Sequence, residues 1–236
     1  MTEAAAGAMS VSEFDAYAKN YDDALAMGLF LTGESKDYYA SRRVAWLSKR
    51  LAARKYSART VLDFGCGTGS GVPFLFDGLG ARLVHGVDVS AASLETARET
   101  HARAGATFAL IEEPVGPVFD LAFCNGVFHH IPVAERHGAA AYVHDALLPG
   151  GLFALWENNP WNVGTRYIMR RVPFDRNAIT LTPPETRRLL RDAGFDIVRT
   201  DYLFVFPHSL RALRPLERAL SALPLGGQYL VLAQKR

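Results

Sequence analysis

Residues 61–71, Val-Leu-Asp-Phe-Gly-Cys-Gly-Thr-Gly-Ser-Gly, constrain this chain more than any other stretch. Apolar and β-branched residues from Thr60 to Leu62 read as a buried strand. Glycines at 65, 67, 69 and 71 then alternate with small residues before a helical pattern begins. Glycine takes positive φ freely and lets a backbone press against a bound molecule. A turn that opens a helix also offers that molecule unpaired N–H groups. The pattern continues downstream. Strands are expected at 60–64, 83–88, 107–110, 119–125, 152–156, 195–206 and 228–233. Helices are expected at 36–54, 72–79, 90–103, 134–147 and 183–193, with another from Ser12 and an interrupted one at 209–222. Alternation of this kind predicts an α/β fold, a mostly parallel sheet with helices on both faces.

The identity of the ligand turns on charge. A dinucleotide loop needs Gly-x-Gly-x-x-Gly or Ala, and neither frame supplies the third small residue: counting from Gly65 it is Ser70, from Gly67 it is Val72. A P-loop needs Gly-Lys-Ser/Thr, and no lysine follows the turn. Asp63 stands at the strand end, where a carboxylate repels a pyrophosphate and attracts a cation. S-adenosylmethionine (SAM) carries an ammonium and a sulfonium, so charge complementarity favours it.

With these residues the chain resembles the class I SAM-dependent methyltransferases, in their small-molecule branch of ubiquinone/menaquinone-type, methyltransferase-11/12-like enzymes. Asp63, Gly65, Gly67 and Gly69 fill the family's first motif, with Cys66 inside it. His85 to Ser90 is similar to the second motif, in which Asp88, followed by Val89, would bind the ribose hydroxyls. Glu112 resembles the acidic residue that contacts adenine. Residues 119–125 with Phe128-His129-His130-Ile131-Pro132 resemble the fourth-strand segment, where Asn125 would meet the methionine part. Leu148-Pro149-Gly150-Gly151 resembles the turn into the fifth strand. The resemblance implies a Rossmann-like seven-stranded sheet in the order 3-2-1-4-5-7-6, strand 7 antiparallel. It also implies Tyr17 and Tyr21 as lid residues, S-adenosyl-L-homocysteine as product and no metal. The domain expectation is an N-terminal helical lid at 1–56 and a core at 57–236, with a substrate-side insertion at about 158–181.

The acceptor side is less marked. Glu157, His129 and His130 are the candidate general bases. Adjacent histidines in regular structure point apart, which argues against both entering one pocket. Trp156 and Trp161 are candidate walls of a substrate pocket, and Asn158 a polar contact at the end of strand 5. Arg166, Arg170, Arg171 and Arg176, with only Asp175 opposing, read as a solvated helix face. Cys66 and Cys124, just past neighbouring strand ends, are expected together beside the cofactor as free thiols.

Composition is that of a globular protein, with 49% apolar and 21% charged residues and a net charge of +2. No basic tract suggests nucleic acid. No apolar run is long enough to span a membrane, and the first ten residues lack the pattern of a secretory signal. The expectation is a cytoplasmic methyltransferase acting on a small molecule, as monomer or homodimer, with oxygen the favoured acceptor and nitrogen or carbon as alternatives. Its competitors are a nucleic-acid methyltransferase, a SAM-binding regulator without transfer activity, and a nicotinamide oxidoreductase.

Overall fold

The computed structural model describes residues 32–113, 115–172, 175–176 and 178–236. The expected helix from Ser12, with Tyr17 and Tyr21, lies outside the described residues. The elements run α1 (Lys36–Ala53), β1 (Thr60–Phe64), α2 (Val72–Leu79), β2 (Leu83–Asp88), α3 (Ala91–His101), β3 (Ala106–Leu110), β4 (Phe119–Asn125) and α4 (Arg136–Ala146). Then come β5 (Leu147–Asn158), α5 (Val163–Met169), α6 (Pro183–Asp192), β6 (Phe195–Leu203), a 3-10 helix (His208–Leu216), α7 (Glu217–Leu220) and β7 (Gln228–Lys235). The seven strands form one sheet in the order β3-β2-β1-β4-β5-β7-β6. β1 to β5 pair in parallel, and β7 runs antiparallel to both β5 and β6.

Side chains alternate along each strand, so each face of the sheet buries its own core. Leu62, Phe64, Ala122, Cys124, Phe153 and Leu155 pack with Ala140 and Val143 of α4 and Leu190 of α6. Val61, Leu121, Phe123, Ala154 and Trp156 pack on the opposite face with Val44, Leu47 and Leu51 of α1 and Val72 and Leu75 of α2. The helices start where the sequence supplies caps. Ser90 accepts from the Ser93 N–H at the start of α3, and Thr182 and Glu185 form a reciprocal capping box on α6.

Three boundaries depart from expectation. β5 begins five residues early, because Leu147 pairs with Phe119 and Leu152 with Leu121, so residues 148–151 bulge out within the strand. β6 stops at Leu203 because Phe204 has φ +66, a left-handed conformation that ends the ladder. The stretch 158–181 contains a helix, α5, capped by Asn162, whose Oδ1 accepts from the Thr165 N–H at 2.9 Å. No helix among the described residues is long and apolar enough to cross a membrane.

Candidate active site

The glycine turn closes over the end of β2. The N–H groups of Gly65 and Cys66 both donate to the Val87 carbonyl, at 2.8 and 3.0 Å. Gly65 has φ +71, and a Cβ there would fall 2.4 Å from Val127 Cγ2, so the position excludes every other residue. Gly67 has φ +53 and open space where a Cβ would point, which leaves its backbone bare to a ligand. Its N–H donates to Asp88 Oδ2 at 2.8 Å, while Asp88 Oδ1 accepts from the Ser90 N–H at 3.0 Å. Asp88 is thereby fixed against the turn at the carboxyl end of β2. Val89 follows it half-buried, and Glu112 stands exposed just beyond β3.

A cavity of about 510 Å³ opens beside this turn. Among the described residues its lining includes Asp63, Gly65, Cys66, Gly67, Asn125, His129 and His130. Asp63 is buried, and no donor among the described residues bonds its carboxylate. Burial, reinforced by the charge of Asp88, pushes its pKa up to about 7. Asn125 Oδ1 is likewise buried without a hydrogen-bond partner. Asn125 Oδ1 thus has its hydrogen bond unmade, which is costly unless a donor arrives, and the Asp63 carboxylate meets the same cavity.

On the cavity's other flank a short turn follows β4. His129 and His130 both line the cavity, with ring centroids 4.1 Å apart. This corrects the expectation that adjacent histidines diverge: residues 128–130 form a turn, where the alternation of regular structure does not apply. Glu157 Oε2 lies 2.6 Å from His129 Nδ1, and its Oε1 accepts from the Phe128 N–H at 2.8 Å. Asp175 Oδ1 lies 3.3 Å from His129 Nε2 and 3.3 Å from His130 Nε2. Burial works against a proton on His129, but Glu157 and Asp175 together hold its pKa at about 10. Burial likewise opposes charge on Asp175, yet hydrogen bonds from the two histidines bring it down to about 2. His130, buried and beside a charged neighbour, is pushed below the ordinary histidine range.

Several sequence expectations are corrected by this geometry. Glu157 is fully buried behind His129 with both oxygens engaged and is not among the cavity residues, so it lies against His129 and not at the cavity surface where a base would stand. Trp156 faces the α1–α2 core at 0% exposure and does not line the cavity. Trp161 is 48% exposed and lies outside the lining. Cys124 points into the core on the opposite sheet face, whereas Cys66 packs toward Gly86 on the cavity side. The two thiols are buried and free. Strand alternation explains this: Asp63, Phe123 and Asn125 share the face that Cys124 does not.

Asn158 does line the cavity, and its Oδ1 accepts from Gln228 Nε2 at 3.1 Å. The arginines at 166, 170, 171 and 176 are exposed, as a solvated face requires. The sequence carried no signal for other residues that line the same cavity: Tyr39 and Arg43 of α1, Thr165 and Tyr167 of α5, and Phe204. Tyr39 and Phe204 meet edge to face at 4.8 Å. Asp175 carried a signal, being the one acid in an arginine-rich stretch.

The family model described as a methyltransferase domain matches residues 62–153. Trans-aconitate 2-methyltransferases from two strains of Rhodopseudomonas palustris, BisB18 and BisA53, are each 34% identical over 119 residues. The match covers 49% of this chain and 45% of each relative, so the chain spans about half the length of the curated relatives it matches. Among solved structures, a SAM-dependent methyltransferase from Mesorhizobium loti superposes with a TM-score of 0.56 at 22% identity, covering 75% of this chain and 90% of that one. A possible histamine N-methyltransferase from Thermotoga maritima gives 0.63 at 18% identity, covering 96% and 100%. Magnesium protoporphyrin IX methyltransferase from Synechocystis, solved with S-adenosylhomocysteine, gives 0.61 at 19% identity, covering 95% and 99%.

Proposed function

From a chain that has the class I SAM-dependent methyltransferase fold, with a methyltransferase domain over residues 62–153, we propose an enzyme that moves the sulfonium methyl group of SAM to an oxygen of a small molecule. The observation that carries this reading is Asp63, a buried carboxylate bonded by no donor among the described residues, facing the cavity at the glycine turn. A pyrophosphate would be repelled there, whereas an α-ammonium group supplies both the charge and the hydrogen bonds. Asn125 Oδ1 offers a second acceptor to the same end of the molecule. Gly67 leaves backbone room beside it. Asp88 retains lone pairs for the ribose hydroxyls, and Val89 and Glu112 stand next along the strand ends to flank the adenine.

The acceptor lies across the cavity, between the methyl-donor position and His130. Displacement at the methyl carbon requires the acceptor oxygen in line with the departing sulfur, so holding the two reactants together supplies much of the rate. The new O–CH3 bond forms as the C–S bond breaks, and its electron pair leaves a neutral thioether. A cavity of this size fits one small substrate beside SAM. A small-molecule acceptor agrees with the trans-aconitate activity named for the two relatives, which also makes a carboxylate oxygen the first acceptor to try. Cytoplasmic location and a lid formed by residues 1–56 belong to the same reading.

The test is transfer of labelled methyl from SAM to a panel of small polycarboxylates, phenols and amines. One oxygen acceptor is expected to take label. Asp88→Ala should retain the fold and weaken SAM binding at least about tenfold, through the loss of two hydrogen bonds to an ionised group. Label found only on amines would overturn the oxygen assignment, and unchanged SAM affinity in Asp88→Ala would overturn the ribose assignment.

A further inference from the structure

The histidine–aspartate cluster has a geometry that acid–base duty does not require. Three donor atoms, one each from His129, His130 and Asp175, lie within 4.8 Å of one another. Both histidines direct Nε2 at the same oxygen, Asp175 Oδ1, and both contacts are 3.3 Å. A charge-assisted N–H···O bond closes to about 2.7–2.9 Å, and the neighbouring Glu157–His129 contact, at 2.6 Å, does so. The two longer contacts match another length. Donors held tetrahedrally about 2.0–2.1 Å from an ion stand about 3.3–3.4 Å apart.

The surroundings fit the same purpose. Glu157 engages Nδ1 of His129, which leaves Nε2 to face the cluster. A ligating histidine whose other nitrogen is held by a carboxylate is the usual supporting arrangement at a metal centre. Glu157 is itself fixed by the Phe128 N–H. The backbone is anchored too, since the Ile179 N–H donates to the His129 carbonyl at 3.0 Å and the Ala178 N–H to the Asp175 carbonyl at 3.1 Å. All three ligands line the cavity, so remaining coordination positions face the acceptor space.

We propose that His129, His130 and Asp175 bind a divalent transition-metal ion of the zinc class, with its open positions turned into the cavity. Two imidazoles and one carboxylate are a donor set suited to such an ion. The methyltransferase fold needs no metal, and this site is an addition made by the chain's own turn and loop. Its role rests on the proposed oxygen transfer: an acceptor hydroxyl that ligates the ion loses its proton to solvent more readily and is oriented toward the methyl carbon. Metal binding itself does not depend on that reading.

The experiment is calorimetric titration of chelator-stripped, full-length protein with zinc chloride, alongside a cobalt(II) titration read by visible absorption. One zinc per chain is expected, with cobalt showing the intense d–d bands of a four- or five-coordinate site. Asp175→Asn and His130→Ala should each weaken zinc at least about tenfold, and Glu157→Gln by about 10–100-fold. His208→Ala should change nothing. Absence of stoichiometric zinc in the wild-type protein overturns the proposal, as does wild-type affinity in Asp175→Asn, a near-isosteric change in a loop whose folding is checked by circular dichroism. SAM binding measured on the same samples separates the claims. Zinc without SAM binding leaves the metal site standing and sinks the methyltransferase reading; SAM without zinc does the reverse.

Discussion

At the scale of single residues, Asp63 holds stability and binding in opposition. Its pKa is raised to about 7 by burial and by Asp88, against about 3.9 in an unfolded chain. A group whose folded pKa is raised contributes its stability below the unfolded value and loses it as pH climbs through the folded one. The free protein therefore loses stability between about pH 4 and pH 7, and Asp63 is a liability above that window. Asp63→Asn removes the liability. Its melting temperature should exceed that of the wild type by several degrees at pH 8, with the gap closing toward pH 5, while its affinity for SAM falls. Scanning calorimetry of both proteins at the two pH values checks this; a variant less stable than wild type at pH 8 would contradict it. Asp63 was legible in the sequence because an acid ending an apolar strand before glycines has few other uses. Glu157 was legible as unusual, but its purpose was not. A sequence shows that an acid sits in an apolar strand, whereas only the fold shows that His129 and the Phe128 N–H occupy both its oxygens.

Among the elements, α1 roofs one side of the cavity and is fastened to the sheet by a buried carboxylate. Asp201 of β6 accepts from Trp46 Nε1 at 3.0 Å and from Arg50 Nε and Nη2 at 2.8 and 3.1 Å, with Arg199 also in contact. Removing the carboxylate leaves two guanidinium groups facing each other without their shared anion. Asp201→Ala should cost about 1–3 kcal/mol of stability, read as a lower midpoint in urea unfolding, and should loosen α1 so that amide exchange speeds up there first. Equal stability in wild type and variant would mean that α1 is held by its apolar face alone. The helix is legible from its apolar stripe, but nothing in the spacing of Trp46, Arg50 and Asp201 announces their meeting across 151 to 155 residues. α5 was legible only as a solvated face around Arg166, because its seven residues carry little periodicity, and its anchoring depends on distant chain: Asn162 Nδ2 donates to the Leu225 carbonyl and Thr165 Oγ1 to that of Gly227.

For the molecule as a whole, the positions of the strands followed from local signals, apolar runs bounded by caps or glycines, whereas their order and sense came with the resemblance to the methyltransferase family and agree with the observed sheet. The residues proposed to hold the cofactor were readable because they sit at the ends of β1, β2 and β4, which the strand pattern locates. The far side of the cavity draws on α1, α5, the turn after β4 and residues 204–207, four regions distant in sequence that only tertiary packing assembles. The trans-aconitate relatives match less than half of their own length, so the acceptor must come from experiment.

The central claim is that SAM binds at the glycine turn with its ammonium on Asp63. Calorimetric titration of SAM into the wild-type protein from pH 5.5 to pH 7.5 tests it most directly. A 1:1 complex is predicted, with affinity rising up to about tenfold per pH unit below pH 7 and a proton released from Asp63 on binding. In Asp63→Asn that pH dependence should disappear. Absence of SAM binding, or binding to Asp63→Asn with wild-type affinity and pH dependence, would contradict the account.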